Sequence, residues 1–274
     1  MEKVSTRLTL DKHGIWTHAQ RRELSYPESG HGQYFLLEDA SFWFAHRNRC
    51  ILAAMQRFPP GGQVLDVGGG NGYVAKGMIE AGYSAALLEP GPVGAYNGKT
   101  QRGISEVFCT TLEDSGFPPE SINAIGCFDV IEHIADDSAL LAQFQEILRP
   151  GGLIYGTVPG YPWLWSSSDV SAGHFRRYTK AALRKLLEPK LEVLYFTPFF
   201  SALILPVLLT KTLPYKLGLG GNVISLQSEH GVGGASTMAA RILTGLLTRE
   251  IKIISAGKSL TMGTSCLFVA RKRG

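Results

Sequence analysis

Cysteine is scarce. The chain has 274 residues and four cysteines, Cys50, Cys109, Cys127 and Cys266, far apart. No CxxC pair and no His/Cys cluster at zinc-ligand spacing occurs, which excludes a disulfide framework and a structural zinc module. Cys109 and Cys127 sit in apolar runs and read as small buried hydrophobes in a reducing compartment. Charge of one sign is not concentrated: Lys plus Arg number 27 against 23 for Asp plus Glu, a net charge of +4 that is too weak to argue for nucleic acid. Met1 to Gln20 mixes charges without an apolar core, so no secretory leader is read there. Long apolar runs are lacking, with one exception. Val193–Leu209 carries no charge over 17 residues, the lower edge of the ~17–25 that span a membrane, and Pro198 and Pro206 interrupt it. It reads as a buried strand followed by an apolar helix, with a membrane-dipping segment as the alternative. Internal repeats and low-complexity tracts are absent.

Glycine is abundant, at 32 residues, and 45% of the chain is hydrophobic against 18% charged, a globular composition. The length allows one large domain or two small ones. The breaker cluster Phe58-Pro59-Pro60-Gly61-Gly62 closes an aromatic N-terminal section, in which His46–Phe58 reads as a helix. Strands are then expected at Gln63–Val67, Ser84–Leu88, Ser105–Cys109, Ile122–Val130 and Leu153–Val158, with helices over Tyr73–Ala81 and Asp137–Leu148. Near-continuous apolar strands alternating with helices indicate a parallel sheet covered on both faces. Beyond Pro159 the pattern gives a helix at Thr179–Leu187 with Thr179 as N-cap and a strand at Leu191–Thr197. Helical stretches at Ser201–Leu217 and Ser236–Glu250 flank a glycine-rich linker, Gly218–Gly234, and a last strand spans Gly263–Arg271.

The sharpest feature is Val64-Leu65-Asp66-Val67-Gly68-Gly69-Gly70-Asn71-Gly72, a strand that runs into glycines and then a helix. Glycine lets a ligand lie against bare main chain, and the helix start supplies unpaired N–H groups. Gly70-x-Gly72-x-x-Ala75 satisfies the loose dinucleotide fingerprint. Glu89 ends the next strand about twenty residues after Gly68, where an acid suits the ribose of a nicotinamide or an adenosyl cofactor. Asp66 discriminates between them. A carboxylate beside a diphosphate is repulsive, whereas beside an ammonium and a sulfonium it is attractive.

Asp66-x-Gly68-x-Gly70-x-Gly72 resembles the first motif of the class I S-adenosylmethionine-dependent methyltransferases. Phe128-Asp129-Val130-Ile131-Glu132-His133 resembles the segment after the fourth strand of that family, Leu148-Arg149-Pro150-Gly151-Gly152 the turn before the fifth, and Ser265–Lys272 the last, antiparallel strand. Phe42-Trp43 with Arg47, and Gly173-His174-Phe175-Arg176-Arg177-Tyr178-Thr179, resemble segments of a broad bacterial subgroup associated with polysaccharide, lipid and secondary-metabolite pathways. The likeness covers Tyr34–Lys190 well and Leu191–Arg271 loosely. It implies an α/β fold: a seven-stranded, mostly parallel, doubly wound Rossmann-like sheet with its last strand antiparallel. The expected division is an N-terminal helical, aromatic lid (1–62), a cofactor-binding core (63–198), an apolar helical cap inserted before the final strand (199–256) and that strand (257–274).

The resemblance implies S-adenosylmethionine as cofactor and S-adenosylhomocysteine as product. It assigns Asp66, Gly68, Gly70 and Gly72 to the cofactor cradle, Glu89 to the ribose, Glu113 to the adenine amine, and Phe128 and Asp129 to the neighbourhood of the reacting methyl. His133, at the sheet's C-terminal edge, and His174 are the two candidate bases for a hydroxyl nucleophile. Arg176 and Arg177, with Tyr178, are read as a forked clamp for a substrate carboxylate or phosphate. Tyr34, Phe35, Phe42 and Trp43 are read as an aromatic lid over the sulfonium, Arg47 as a contact for the methionyl carboxylate, and Trp163 as part of the acceptor pocket. No metal site is expected.

The activity expected is methyl transfer to a small molecule, with a hydroxyl of a secondary metabolite, glycan or lipid-linked compound favoured over nitrogen or carbon. "FDVIEH" stands where an "NPPY"-like segment would indicate adenine amino-methylation, so no nucleic-acid partner is expected. The apolar stretch Phe199–Leu209 and Ile242–Leu247 suit a greasy acceptor or peripheral membrane contact, in a cytoplasmic protein. A nicotinamide oxidoreductase and a non-catalytic membrane-peripheral module are the rival readings.

Overall fold

The computed structural model describes residues 7–18, 29–219 and 238–274, and the side chains within them except at 29–34 and 238–240. The Tyr34 side chain and most of the expected linker, from Gly220 onward, lie outside the described residues.

In chain order the strands are β1 (Leu8–Leu10), β2 (Trp16–His18), β3 (Val64–Val67), β4 (Ala85–Leu88), β5 (Val107–Cys109), β6 (Ile122–Phe128), β7 (Leu148–Pro159), β8 (Leu191–Phe199) and β9 (Ser265–Lys272). They form one sheet in the order β1-β2-β5-β4-β3-β6-β7-β9-β8. From β2 to β7 neighbours are parallel, and β9 runs antiparallel between β7 and β8. The doubly wound parallel sheet with an antiparallel last strand is as expected. The described residues give nine strands rather than seven, because the hairpin β1–β2 extends the edge beside β5, with Trp16 opposite Phe108. Strands of three residues are too short to show an alternation.

The helices are α1 (Ser29–Ala40), α2 (Phe42–Arg57), α3 (Tyr73–Glu80), α4 (Pro92–Thr100), α5 (Leu112–Ser115), α6 (Asp137–Ile147), α7 (Ser167–Ala172) and α8 (Lys180–Leu187), followed by a C-terminal helix, Met238–Ser255. The Ser41 hydroxyl accepts from the Trp43 amide and starts α2, which buries Cys50, Ile51, Ala54 and Met55 against the sheet. Thr179 caps α8 as read, accepting from Ala182 N–H at 3.1 Å. Strand alternation divides the core between the two faces of the sheet. Val64 joins Cys50, Met55, Met78 and Tyr155 on one face. Leu65 and Val67 join Ile125, Phe144 and Leu183 on the other. Each fully buried side chain of this kind contributes about 1.5–3 kcal/mol.

The chain leaves β3 toward β4 and β5, then returns to β6 on the other side of β3. The crevice at the C-terminal ends of β3 and β6 is therefore the topological switch point where such sheets take ligands. The uncharged run Val193–Leu209 divides at Phe200, whose φ is 59°. Before it lies β8, and after it a broken helical stretch over 201–216 that includes a π turn, Leu208–Thr212. Among the described residues no helix is long and apolar enough to cross a membrane.

Candidate active site

Asp66 lies in β3 with no exposed surface. A side chain on Gly69 would come within 2.6 Å of its Oδ2, so glycine there leaves room for the carboxylate itself. Gly70 differs: its φ is +57° and open space stands where a Cβ would project, so the main chain there is bare. Neither Asp66 oxygen has a hydrogen-bond partner of ordinary geometry. Burial pushes its carboxyl up to about 7, against the opposing influence of Arg47 and the Ala75 amide. Glu89, just past β4, leans over the same loop and accepts from the amides of Gly70 at 2.8 Å and Gly91 at 2.7 Å. Burial pushes its carboxyl up to about 7 in spite of those two bonds.

The loop touches the segment that follows β6. A Cβ on Gly68 would stand 2.9 Å from a methyl of Val130. Beside Val130, Asp129 adopts a φ of 55° and forms an ion pair with the buried Arg47 of α2. The Arg47 guanidinium lies 4.8 Å over Trp43 and 5.2 Å over Phe44. Trp43 in turn stacks on Phe200, centroids 5.5 Å apart and planes at 10°. Arg47 acts electrostatically on Asp66 and Glu132 as well. The crevice is therefore rich in acids.

Glu132 has no exposed surface, and neither of its oxygens has a partner beyond its own amide. Burial, then the charge of Asp129, drive its carboxyl well above the usual range. Its neighbour His133 meets His174 edge to face, with centroids 4.7 Å apart. Burial and His174 pull the His133 imidazole down to about 4, so it is neutral at physiological pH. His174 is oriented by Asp169, whose Oδ1 lies 2.9 Å from Nδ1. Asp169 is fully buried at the first turn of α7 and also accepts from Arg177 at 2.7 and 3.0 Å and from the Ser166 amide at 2.9 Å. Burial works to raise its carboxyl, but His174 and Arg177 outweigh it and hold it below the usual carboxylate range.

The expected residues Asp66, Gly68, Gly70, Glu89, Asp129, His133 and His174 thus gather at the ends of β3, β4, β6 and β7. Gly72 serves as the N-cap of α3, with φ 79°. Phe128 is 7% exposed and belongs to the core. Glu113 is exposed on the one-turn helix α5, whereas Thr110, just ahead of it, is buried with its hydroxyl unpartnered. Trp163 is exposed beside Tyr161, centroids 6.1 Å apart.

The residues of the expected substrate clamp have partners within the chain. Arg177 spends its donors on Asp169 and on the Gly160 carbonyl at 3.1 Å. Arg176 is bound to the Ala135 carbonyl and to Asp137, each at 2.7 Å. Tyr178 is buried and donates to Asp137 at 2.8 Å. These three residues brace the loops around His174. Arg47, assigned to a cofactor carboxylate, is paired with Asp129 instead. The residues that sequence reasoning missed are Glu132, Asp169 and Thr110. Thr110 and Glu132 stand close behind β5 and β6, whereas Asp169 lies in α7, ten residues beyond β7.

A family model described as a methyltransferase domain matches residues 38–189. A ubiquinone biosynthesis O-methyltransferase of Xanthomonas campestris is 26% identical over 124 residues, 43% of this chain and 52% of that protein. The chain thus spans about half the length of the curated relative it matches. Among solved structures, the complex of the Haloferax volcanii Trm112 methyltransferase activator with a methyltransferase aligns at TM-score 0.57 and 17% identity, over 92% of this chain and 100% of that one. Haemonchus contortus phosphoethanolamine N-methyltransferase 2, solved with S-adenosyl-L-methionine, aligns at TM-score 0.54 and 16% identity, over 92% of this chain and 59% of that one. Both show the fold.

Proposed function

The chain belongs to the S-adenosylmethionine-dependent methyltransferases, and on that premise we propose that it methylates a hydroxyl of a small, apolar acceptor. The observation that carries the reading is Asp66: a carboxylate with no exposed surface and no ordinary hydrogen-bond partner, beside bare main chain at Gly70. A cation satisfies it and a diphosphate does not. Glu89 places a second carboxyl against the same loop, so these residues fit a ligand carrying an ammonium and a sulfonium and fit a nicotinamide dinucleotide poorly.

When bound, S-adenosylmethionine supplies a methyl group already activated by its sulfonium. What remains for the chain is to hold the cofactor, exclude water and align the acceptor. Asp66 and Glu89 hold, the first as a counter-charge and the second as an acceptor for hydroxyls. The Trp43–Phe200 stack, with Arg47 across Trp43, walls the crevice. The hydroxyl proton leaves at the His133–His174 pair, where Asp169 fixes the ring of His174 through Nδ1.

Two observations support oxygen and an apolar acceptor. The Xanthomonas relative is named an O-methyltransferase. The helical stretches between β8 and β9 expose Leu205, Leu209, Leu217 and Ile242, at 54–69%, next to Lys211, Lys216 and Arg241, a surface suited to greasy molecules or an anionic lipid face. Calorimetric titration with S-adenosylhomocysteine and with NADH tests the cofactor: preference for NADH ends the reading. Labelled-methyl transfer to hydroxylated lipids against matched amines tests the acceptor, and label on the amines alone refutes O-methylation.

A further inference from the structure

Glu132, His133 and His174 bring one carboxylate oxygen and two imidazole nitrogens within 4.8 Å of one another. We propose that these residues form a binding site for a divalent transition-metal ion, beside the crevice that takes the methyl donor.

The ring geometry fits an ion between the imidazoles. Two imidazoles on one ion at about 2.1 Å place their ring centroids about 4.5–5.2 Å apart, for bond angles between octahedral and tetrahedral. The observed separation is 4.7 Å, with the planes at 77°. Ligand atoms on one ion stand about 3.0–3.4 Å apart, so the cluster closes by about 1–2 Å when an ion enters.

The surroundings are those of a metal centre rather than of a bare histidine pair. His174 has Nδ1 against the buried carboxylate of Asp169, and His133 is held by the Gly173 backbone. Such outer partners fix ring orientation and strengthen the opposite nitrogen as a ligand. Asp169 is itself anchored by Arg177 and Ser166. Independently, Glu132 is fully buried with both oxygens unpartnered, and burying a carboxylate without a counter-charge is costly. An ion in the triad removes that cost. Two imidazoles and one carboxylate suit zinc, iron, cobalt or manganese, whereas magnesium and calcium prefer all-oxygen sites. Three protein ligands leave coordination positions open. With an ion bound, the two histidines serve as its ligands and no longer as the base; a hydroxyl in an open position would lose its proton to water more readily, and that catalytic role, unlike the site itself, rests on the function proposed above.

The test uses the full chain, stripped with a chelator and titrated with Co2+. The expected result is one equivalent bound with visible absorption bands, displaced by Zn2+ and unaffected by millimolar Mg2+. His174→Ala and Glu132→Gln abolish the bands, and Asp169→Asn weakens Co2+ about 10–100-fold. His13→Ala, an exposed histidine elsewhere, leaves them unchanged. S-adenosylhomocysteine affinity reports that each variant is folded, and His133→Asn replaces any variant that is not. No band at one equivalent, or bands that survive in the triad variants, overturns the site. Co2+ binding without S-adenosylhomocysteine binding supports the site and overturns the proposed function.

Discussion

Asn71 of the glycine loop donates from Nδ2 to Oε1 of Glu38 at 3.1 Å, which ties the loop to the end of α1. Arg102 closes the latch, donating to Glu38 at 3.0 Å and to Asp39 at 2.6 Å while lying 4.4 Å over the ring of Phe35. Helix α1 is therefore tied to the glycine loop and to Arg102. Arg102→Ala leaves Glu38 buried without its ion-pair partner, with the Asn71 amide still donating to it, which costs about 3–5 kcal/mol for a pair of this kind. The expected outcome is a clear drop in unfolding free energy and at least tenfold weaker S-adenosylhomocysteine binding. Arg271→Ala, which breaks an exposed pair with Glu192, serves as the control at under about 1 kcal/mol. Equal effects in the two variants would remove the latch from the account.

The two acids of the cradle give cofactor binding a pH dependence. Burial raises the carboxyls of Asp66 and Glu89 to about 7. Because the folded values lie above those of the unfolded chain, the ligand-free protein holds protons that the unfolded chain has lost. Its stability therefore falls as pH rises from about 4 to about 7. A cationic ligand needs these carboxyls charged. Affinity for S-adenosylmethionine is expected to rise from pH 6 to pH 8 with release of protons, and its thermal stabilisation of the protein to rise in parallel. Calorimetry in buffers of different ionisation heat counts the protons. Asp66→Asn removes part of that release, and an unchanged count in the variant rules Asp66 out as the counter-charge.

The legible part of the site is the part that a local stretch of chain determines. Gly68 and Gly70 have positive φ, and Asp66 and Glu89 sit at strand ends whose sheet position follows from the βαβ pattern. What stayed hidden depends on partners distant in sequence. Nothing near Arg176 announces Asp137 across the intervening β7, and Arg177 reaches Asp169, eight residues back, only because α7 and the turn after it fold the chain on itself, so donors read as free for substrate are spent inside the chain. The Arg47–Asp129 pair joins residues 82 positions apart. Glu132 read as an ordinary companion of His133, because its lack of a partner is visible only once the sheet is closed around it.

Glu250 of the C-terminal helix clasps the backbone just past β8. It accepts from the amides of Phe200 at 2.8 Å and Ser201 at 2.6 Å and meets Nε2 of His46 in α2 at 3.0 Å. Burial works to raise its carboxyl, but His46 and the Ser201 and Phe200 donors outweigh it and hold it below the usual value of 4.5. A depressed folded value contributes stability that is complete above the unfolded value and lost as pH falls through the folded one. Glu250→Gln is expected to lower the unfolding free energy by about 1–3 kcal/mol at pH 7, with the difference from the unsubstituted protein shrinking below pH 4.5. Urea unfolding at pH 7 and pH 4 measures it. A difference that is the same at both pH values would show that the clasp does not depend on its charge.

Asp169 offers the sharpest separation between framework and chemistry, because it anchors Arg177 and also holds the ring of His174, the base in the proposed reaction. Asp169→Ala removes the carboxylate from under Arg177, whose side chain is 10% exposed, and frees the ring of His174. Loss of one partner of a buried pair costs about 3–5 kcal/mol, so a large fall in urea midpoint is expected. Asp169→Asn keeps an acceptor oxygen for one donor and retains more of that stability, but an amide neither carries the charge nor selects the same imidazole tautomer. If His174 acts on the acceptor, the asparagine variant loses turnover by about 10–100-fold with cofactor affinity unchanged, out of proportion to its modest stability loss. Stopped turnover with S-adenosylhomocysteine affinity measured alongside separates the two effects. Turnover that merely tracks the folded fraction would assign Asp169 to the framework alone.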